Sequence, residues 1–370
     1  MDVFNRLKDS YTKEPPSKPP ALSANAVVAL SVTYVLLFVV PFYLDKNTRP
    51  SATLTRDAPS VIRARLRAVS IASVTTVVIT LYILSVYGKY GFGESLHHLG
   101  LWPVGLHDIA KVLLLCMILF VGPLFESYYV ESSWRELISG SAWRDRMDSL
   151  IWWRNIVVAP LLEEAVFRSS IVPLHLLTYA TVSDMHNPPN YANVIYITPL
   201  YFGIAHIHHF YEFRLTHPRV PLIAAVLRSV IQMAYTTLFG MFAVFILLRT
   251  GSFWACCAAH AFCNSMRFPR LWGRVTVEVP MVEVPTAAGP DVFEGMLNAD
   301  AEGAGRKNED GDGGRKRTES ANGPSGGNVG SATQETLYTV VYYSLLVVGA
   351  VGFYKMLYPL TGSSNALVAL

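Results

Sequence analysis

The chain has 370 residues, of which 52% are hydrophobic and 15% charged, against roughly 25% charged in an average soluble protein. A mean hydropathy of +0.33 over that length argues against a soluble enzyme, because a soluble fold must cover its surface with charge. The net charge of +3 is too small and too dispersed for nucleic-acid binding.

A polar, Pro-rich tail occupies 1–23 and lacks the early apolar core and cleavage site of a secretory signal. A span needs about 20 mostly apolar residues, and the runs 24–44, 66–87 and 109–130 qualify. The block 151–268 holds four further helices, at about 151–179, 191–210, 222–249 and 252–267, interrupted by Arg154, Glu163, Glu164, Arg168, three clustered histidines and Arg228. A last span lies at 336–358. The expected fold is an all-α polytopic membrane protein of about eight transmembrane helices, a bundle over 24–268 with a catalytic core at 151–268. Closed barrels need alternating strands, which these continuous runs are not.

Between the third and fourth spans, Trp134, Leu137 and Ile138 recur at helical spacing among charges, fitting either an interfacial helix or a polar loop. The segment 286–335 holds 14 of the 57 charges and 11 of the 25 glycines. Its composition predicts a disordered loop. Cys116, Cys256, Cys257 and Cys263 lie in apolar stretches and indicate no disulfide framework. Lys and Arg number ten in loops 45–67 and 131–154, against five in the N-terminal tail and second loop, which places the first and third loops on the cytoplasmic side.

An ionisable residue at the centre of a span costs about 2.5–3.5 kcal/mol, so those in 151–268 need a reason. In PLLEEAVFR, Glu164 and Arg168 are i and i+4 and can neutralise one another. Glu163 points about 100° away, and its own helical neighbours, Val166 and Phe167, are apolar. A desolvated carboxylate without a local counter-charge suits a general base; pairing with a distant Arg is the structural alternative. In FGIAHIHHF, His206 follows Phe202 by one turn, while His208 and His209 fit interfacial histidines near the end of a span. In CAAHAFCNS, His260 and Asn264 share a face. Side by side they supply two donors suited to a carbonyl oxygen gaining negative charge, or an interhelical polar contact.

Glu163, Glu164 and Arg168, then Phe202 and His206, then His260 and Asn264 follow the order EExxxR, FxxxH, HxxxN. The chain thereby resembles the type II CAAX prenyl endopeptidases, the Ras-converting enzymes, over about 151–268. The resemblance implies an intramembrane protease of the endoplasmic reticulum, needing no cofactor and no metal. Its implied substrates are prenylated CAAX proteins such as Ras-like small GTPases, which lose their last three residues. It implies that Glu163 and His206 activate water, that His260 and Asn264 stabilise the oxyanion, and that Glu164, Arg168 and Phe202 support them.

Competing chemistries are fewer. No HExxH string occurs, although a zinc site from Glu163, His206 and His260 is a reasonable alternative set. The one GxSG string, at Gly323 to Gly326, falls in the polar segment. Cys263, three residues from His260, has no activating base for its thiol. A transporter using the intramembrane charges is the non-enzymatic reading, but no internal repeat supports it.

Overall fold

The computed structural model describes residues 21–51, 55–131, 138, 140–178, 191–266, 268–276 and 332–370. These residues are predominantly helical and contain no strand. They form two compact units, one of 1–114, 150–262 and 357–370 and the other of 115–149 and 263–356.

Helix α1 (Ala24–Val39) starts at Ser23, whose hydroxyl accepts from the Ala26 amide, and its run continues to Leu44. α2 (Pro59–Val86) opens with Pro at its first turn, where the missing N–H has no cost. After the short α3 (Phe92–His98), α4 (Leu106–Leu119) meets α5 (Val121–Val130) at a 79° bend. Gly122 and Pro123 lie at that bend, and Pro123 has no N–H for the Leu119 carbonyl. α6 covers Ser141–Asp148.

The next helix, α7, runs over 150–177 with two wide π-helical turns, Trp153–Val158 and Ala165–Ser170. Pro160 follows the first and Pro173 the second; each lacks the N–H that a regular α-helix would offer four residues back. α8 (Ala192–Ala205) breaks before α9 (His208–Thr216), so the expected helix at 191–210 is two pieces set apart by His206 and Ile207. α10 (Leu222–Thr250) ends at Gly251 with φ of 59°, a left-handed stop that glycine adopts freely. α11 (Phe253–Met266) and α12 (Ala332–Thr361) complete the sequence.

Among the described residues, the runs Ala24–Leu44, Pro59–Val86, Leu222–Thr250 and Ala332–Thr361 are long and apolar enough to span, and the bent α4–α5 pair makes a fifth candidate. The remaining three of the eight expected spans are shorter or interrupted. α8 and α11 have 14 residues each, about 21 Å at 1.5 Å per residue. The proposed interfacial helix falls largely, and the glycine-rich segment up to residue 331, outside the described residues; the last helix starts at Ala332, four residues ahead of the expected boundary.

In the first unit, aromatic and aliphatic side chains of α1, α2, α7 and α8 form a common core that includes Tyr34, Phe38, Leu84, Phe167, Leu174 and Phe202. Phe167 meets Phe38 at 5.4 Å and Phe202 at 5.0 Å between ring centroids, both edge to face. A hydroxyl row on α2 binds α7 at the second π turn and just before it. Ser73 donates to the Leu162 carbonyl at 3.1 Å, Thr80 to that of Ser170 at 3.4 Å, and Ser170 donates to Thr76 at 3.3 Å. Such contacts hold helices together where the apolar effect gives no drive. α8 lies closely along α10. A Cβ on Gly203 would collide with Thr237, and one on Gly240 would sit 2.8 Å from Pro199.

The second unit has its own small core of Val130, Val275 and Tyr342. There α12 approaches the bend after α4 through Gly349, where a Cβ would lie 2.6 Å from the Ile118 carbonyl. Arg270 is paired with Glu126 at 2.9 Å.

Candidate active site

Glu163 and Glu164 end the regular turn Ala159–Glu164 just before the second π turn, which carries Arg168. The ion pair expected from their spacing forms, with Arg168 Nε 3.0 Å from Glu164 Oε2. Both side chains are sealed, at 1% and 0% exposure. The guanidinium also faces two aromatic rings, 4.4 Å from the Phe202 centroid and 5.6 Å from Phe239, which partly replaces the water it has lost.

Glu164 has a second partner that helical spacing alone does not reveal. His260 of α11 donates from Nδ1 to Glu164 Oε1 at 2.7 Å, a contact across 96 residues of sequence. That bond commits Nδ1 as a donor and turns Nε2 toward Glu163, whose Oε2 lies 3.6 Å away, longer than a hydrogen bond. Glu163 differs from its neighbour in exposure: 18% against 0%. Part of the Glu163 carboxylate is free of protein cover, and none of the Glu164 carboxylate is.

His206 occupies the break between α8 and α9. Its amide bonds to the Gly203 carbonyl at 3.1 Å, and its ring takes the acceptor one residue earlier, with Nδ1 2.8 Å from the Phe202 carbonyl. A carbonyl only accepts, so Nδ1 carries the hydrogen and Nε2 is left with a free lone pair. Phe202 sets the two imidazoles around one ring, His206 at 4.5 Å and His260 at 6.1 Å between centroids. Phe239 closes on His260 at 4.7 Å; as one apolar residue in an apolar helix, it carried no signal in the sequence.

The structure thus assembles Glu163, Glu164, Arg168, Phe202, His206 and His260 within the first unit. Asn264 stands four residues after His260 on α11, beyond that unit's boundary. His208 is held elsewhere: its Nδ1 donates to the Ala205 carbonyl at 2.5 Å and its ring stacks on Phe42 at 5.4 Å. Among the described residues no three His, Cys, Asp or Glu side chains, Glu163, His206 and His260 included, are grouped so that they could hold one metal ion. The arrangement offers an accessible carboxylate, an imidazole with a free lone pair, and a second imidazole backed by a buried carboxylate.

Residues 145–266 match the family model described as Type II CAAX prenyl endopeptidase Rce1-like. The chain is 35% identical to the probable CAAX prenyl protease 2 of Schizosaccharomyces pombe over 249 residues, 67% of this chain and 83% of that one. It is 30% identical to CAAX prenyl protease 2 of Homo sapiens over 72% of this chain and 80% of the human one. With the Arabidopsis thaliana protein of the same name it shares 29% over 68% and 81%. No solved structure matches the chain.

Proposed function

This chain belongs to the type II CAAX prenyl endopeptidase family, and from that premise we propose that it removes the C-terminal tripeptide of prenylated CAAX proteins by a glutamate mechanism. Glu163 takes one proton from water while the water oxygen attacks the scissile carbonyl, and the free Nε2 of His206 accepts the hydrogen bond of the remaining hydroxyl and takes its proton as the product becomes a carboxylate. His260 and Asn264 donate to the tetrahedral oxyanion. The proton on Glu163 then passes to the departing amine nitrogen as the C–N bond breaks.

One observation carries the division of labour: Glu163 is open at 18% exposure beside His260, whereas Glu164 is sealed against Arg168 and His260. For His260 to donate from Nε2 while Nδ1 serves Glu164, the ring must hold both protons. The buried Glu164 carboxylate provides the counter-charge. Loss of one oxyanion donor typically costs about 10²–10³ in kcat.

The substrate class suits a site in lipid, since each CH₂ of an isoprenoid gains about 0.8 kcal/mol on burial. Ras-like small GTPases as substrates and the endoplasmic reticulum membrane as location are part of the proposal. The basic first loop would put the entrance on the cytosolic side.

The test compares purified protein on a farnesylated CAAX peptide and its unprenylated twin. Selective cleavage of the prenylated peptide supports the assignment; equal cleavage of both, or of neither, overturns it. Activity should survive exhaustive chelation, and full loss restored by zinc would replace the glutamate mechanism with a zinc one. Glu163→Ala, His206→Ala and His260→Ala should each abolish cleavage, with His208→Ala retaining part of it.

A further inference from the structure

A second buried ionic cluster stands beside the helix break that carries His206. Glu212, on α9, is only 7% exposed. Its Oε1 pairs with Arg65 of α2 at 2.8 Å, and its Oε2 lies 3.5 Å from His209 Nδ1. Arg65 is itself fixed, donating from Nε to the Thr48 carbonyl at 2.9 Å and lying over the Phe42 ring at 5.4 Å. His209 in turn meets the His206 ring at 5.6 Å between centroids. Arg65, Glu212, His209 and His206 therefore form a continuous series from α2 to the proposed water-activating imidazole.

A buried ion pair is a poor way to gain stability, because desolvation consumes most of the attraction. Its presence here has a better explanation in what it does at the break. His206 directs Nδ1 to a carbonyl, which fixes the ring but cannot balance a positive charge. The groups nearest it are His208 and His209 along the chain and His260 and Arg168 across from it; the carboxylates on that far side, Glu163 and Glu164, flank His260 and Arg168, while Arg65, Arg56 and the Tyr43 hydroxyl surround His208 and Glu212. Glu212 brings a carboxylate to the His209 side.

We propose that Glu212 is a positioning residue for His206: anchored by Arg65, it holds His209 against the His206 ring and supplies the negative charge that balances the proton His206 receives during the reaction. This rests on the function proposed above. The rest of α9 is tied down independently. Tyr43 donates to the His208 carbonyl at 3.3 Å, and Arg228 lies 4.3 Å over Phe213. Glu212→Gln, nearly isosteric, should therefore leave α9 in place and remove only the charge.

The experiment measures kcat, KM, the pH dependence of kcat/KM and the Tm of the full chain in detergent, with a farnesylated CAAX peptide as substrate. Glu212→Gln and Arg65→Gln should lower kcat by about tenfold or more, with KM changed by less than about threefold and the protein still folded at the assay temperature. Arg65→Lys, which keeps the charge, should recover most of the rate. Without the carboxylate a protonated His206 is less favoured, so the acid limb of the Glu212→Gln profile should move down by about half a pH unit. His209→Gln, which interrupts the series at another point, should move it in the same direction, and this variant decides the matter if Glu212→Gln does not fold. An unmoved acid limb with normal kcat, or a loss confined to KM or Tm, would overturn the inference while the wild type still cleaved. A wild type that cleaves no prenylated peptide overturns the proposed function and this inference together.

Discussion

At the scale of single residues, adjacent carboxylates have been given opposite surroundings. Glu163→Gln keeps shape and loses the proton acceptor, so we expect the Tm to hold and cleavage of a farnesylated peptide to fall by about 10² or more. Retained activity would contradict the general base. Glu164→Gln instead strips the buried Arg168 of its ion pair, and leaving such a charge uncompensated costs about 3–5 kcal/mol. It should lower the Tm as well as the rate, a contrast that thermal unfolding in detergent resolves. Glu212 gives a pH prediction. Burial pushes its carboxyl up, but His209 and the Arg65 charge outweigh burial and hold it well below the ordinary carboxylate range. A depressed group stabilises the fold above its unfolded value of about 4.3 and loses that contribution only as the pH falls through the lower folded value. The Tm difference between wild type and Glu212→Gln should be flat from about pH 8 to about pH 5 and shrink only in stronger acid.

At the scale of elements, the site is built where helices depart from regularity. The π turn Ala165–Ser170 follows the Glu163–Glu164 pair, and the α8–α9 break holds His206. Neither departure is legible from hydrophobic periodicity, which reports only that a helix of some kind is present. Pro160, Pro173 and Pro199 were visible in the sequence, but not how the backbone would accommodate them. The contact of α8 with α10 depends on glycines, and it carries Phe202 and Phe239 toward each other, with ring centroids 6.5 Å apart. Gly240→Leu would drive a branched side chain into Pro199 and part the helices. Overpacking of this kind costs about 1–3 kcal/mol, and the shift of Phe239 away from His260 should reduce kcat beyond what the fall in Tm explains. An unaltered rate would show that the close approach is not needed for the site.

At the scale of the whole molecule, the sequence by itself identified lipid as the solvent, because 15% charge cannot cover a water-soluble surface. It also made the few intramembrane charges conspicuous and gave the pairing of Glu164 with Arg168, which is local on one helix. In the glycine-rich stretch 298–331 the only large apolar residue is Val329, so replacing that stretch with a short Gly/Ser linker should leave peptide cleavage within about threefold of wild type; loss of activity would assign it a role. What the sequence left open was long-range. The bond from His260 to Glu164 joins residues 96 positions apart, Phe239 reaches the site from a uniformly apolar helix, and the Arg65–Glu212 pair connects α2 to α9. Periodicity determines which residues share a face of one helix, but the partner of that face is chosen by packing between helices. Only the tertiary structure could therefore separate an open Glu163 from a sealed Glu164, since exposure belongs to the surroundings of a residue and not to its place in the chain.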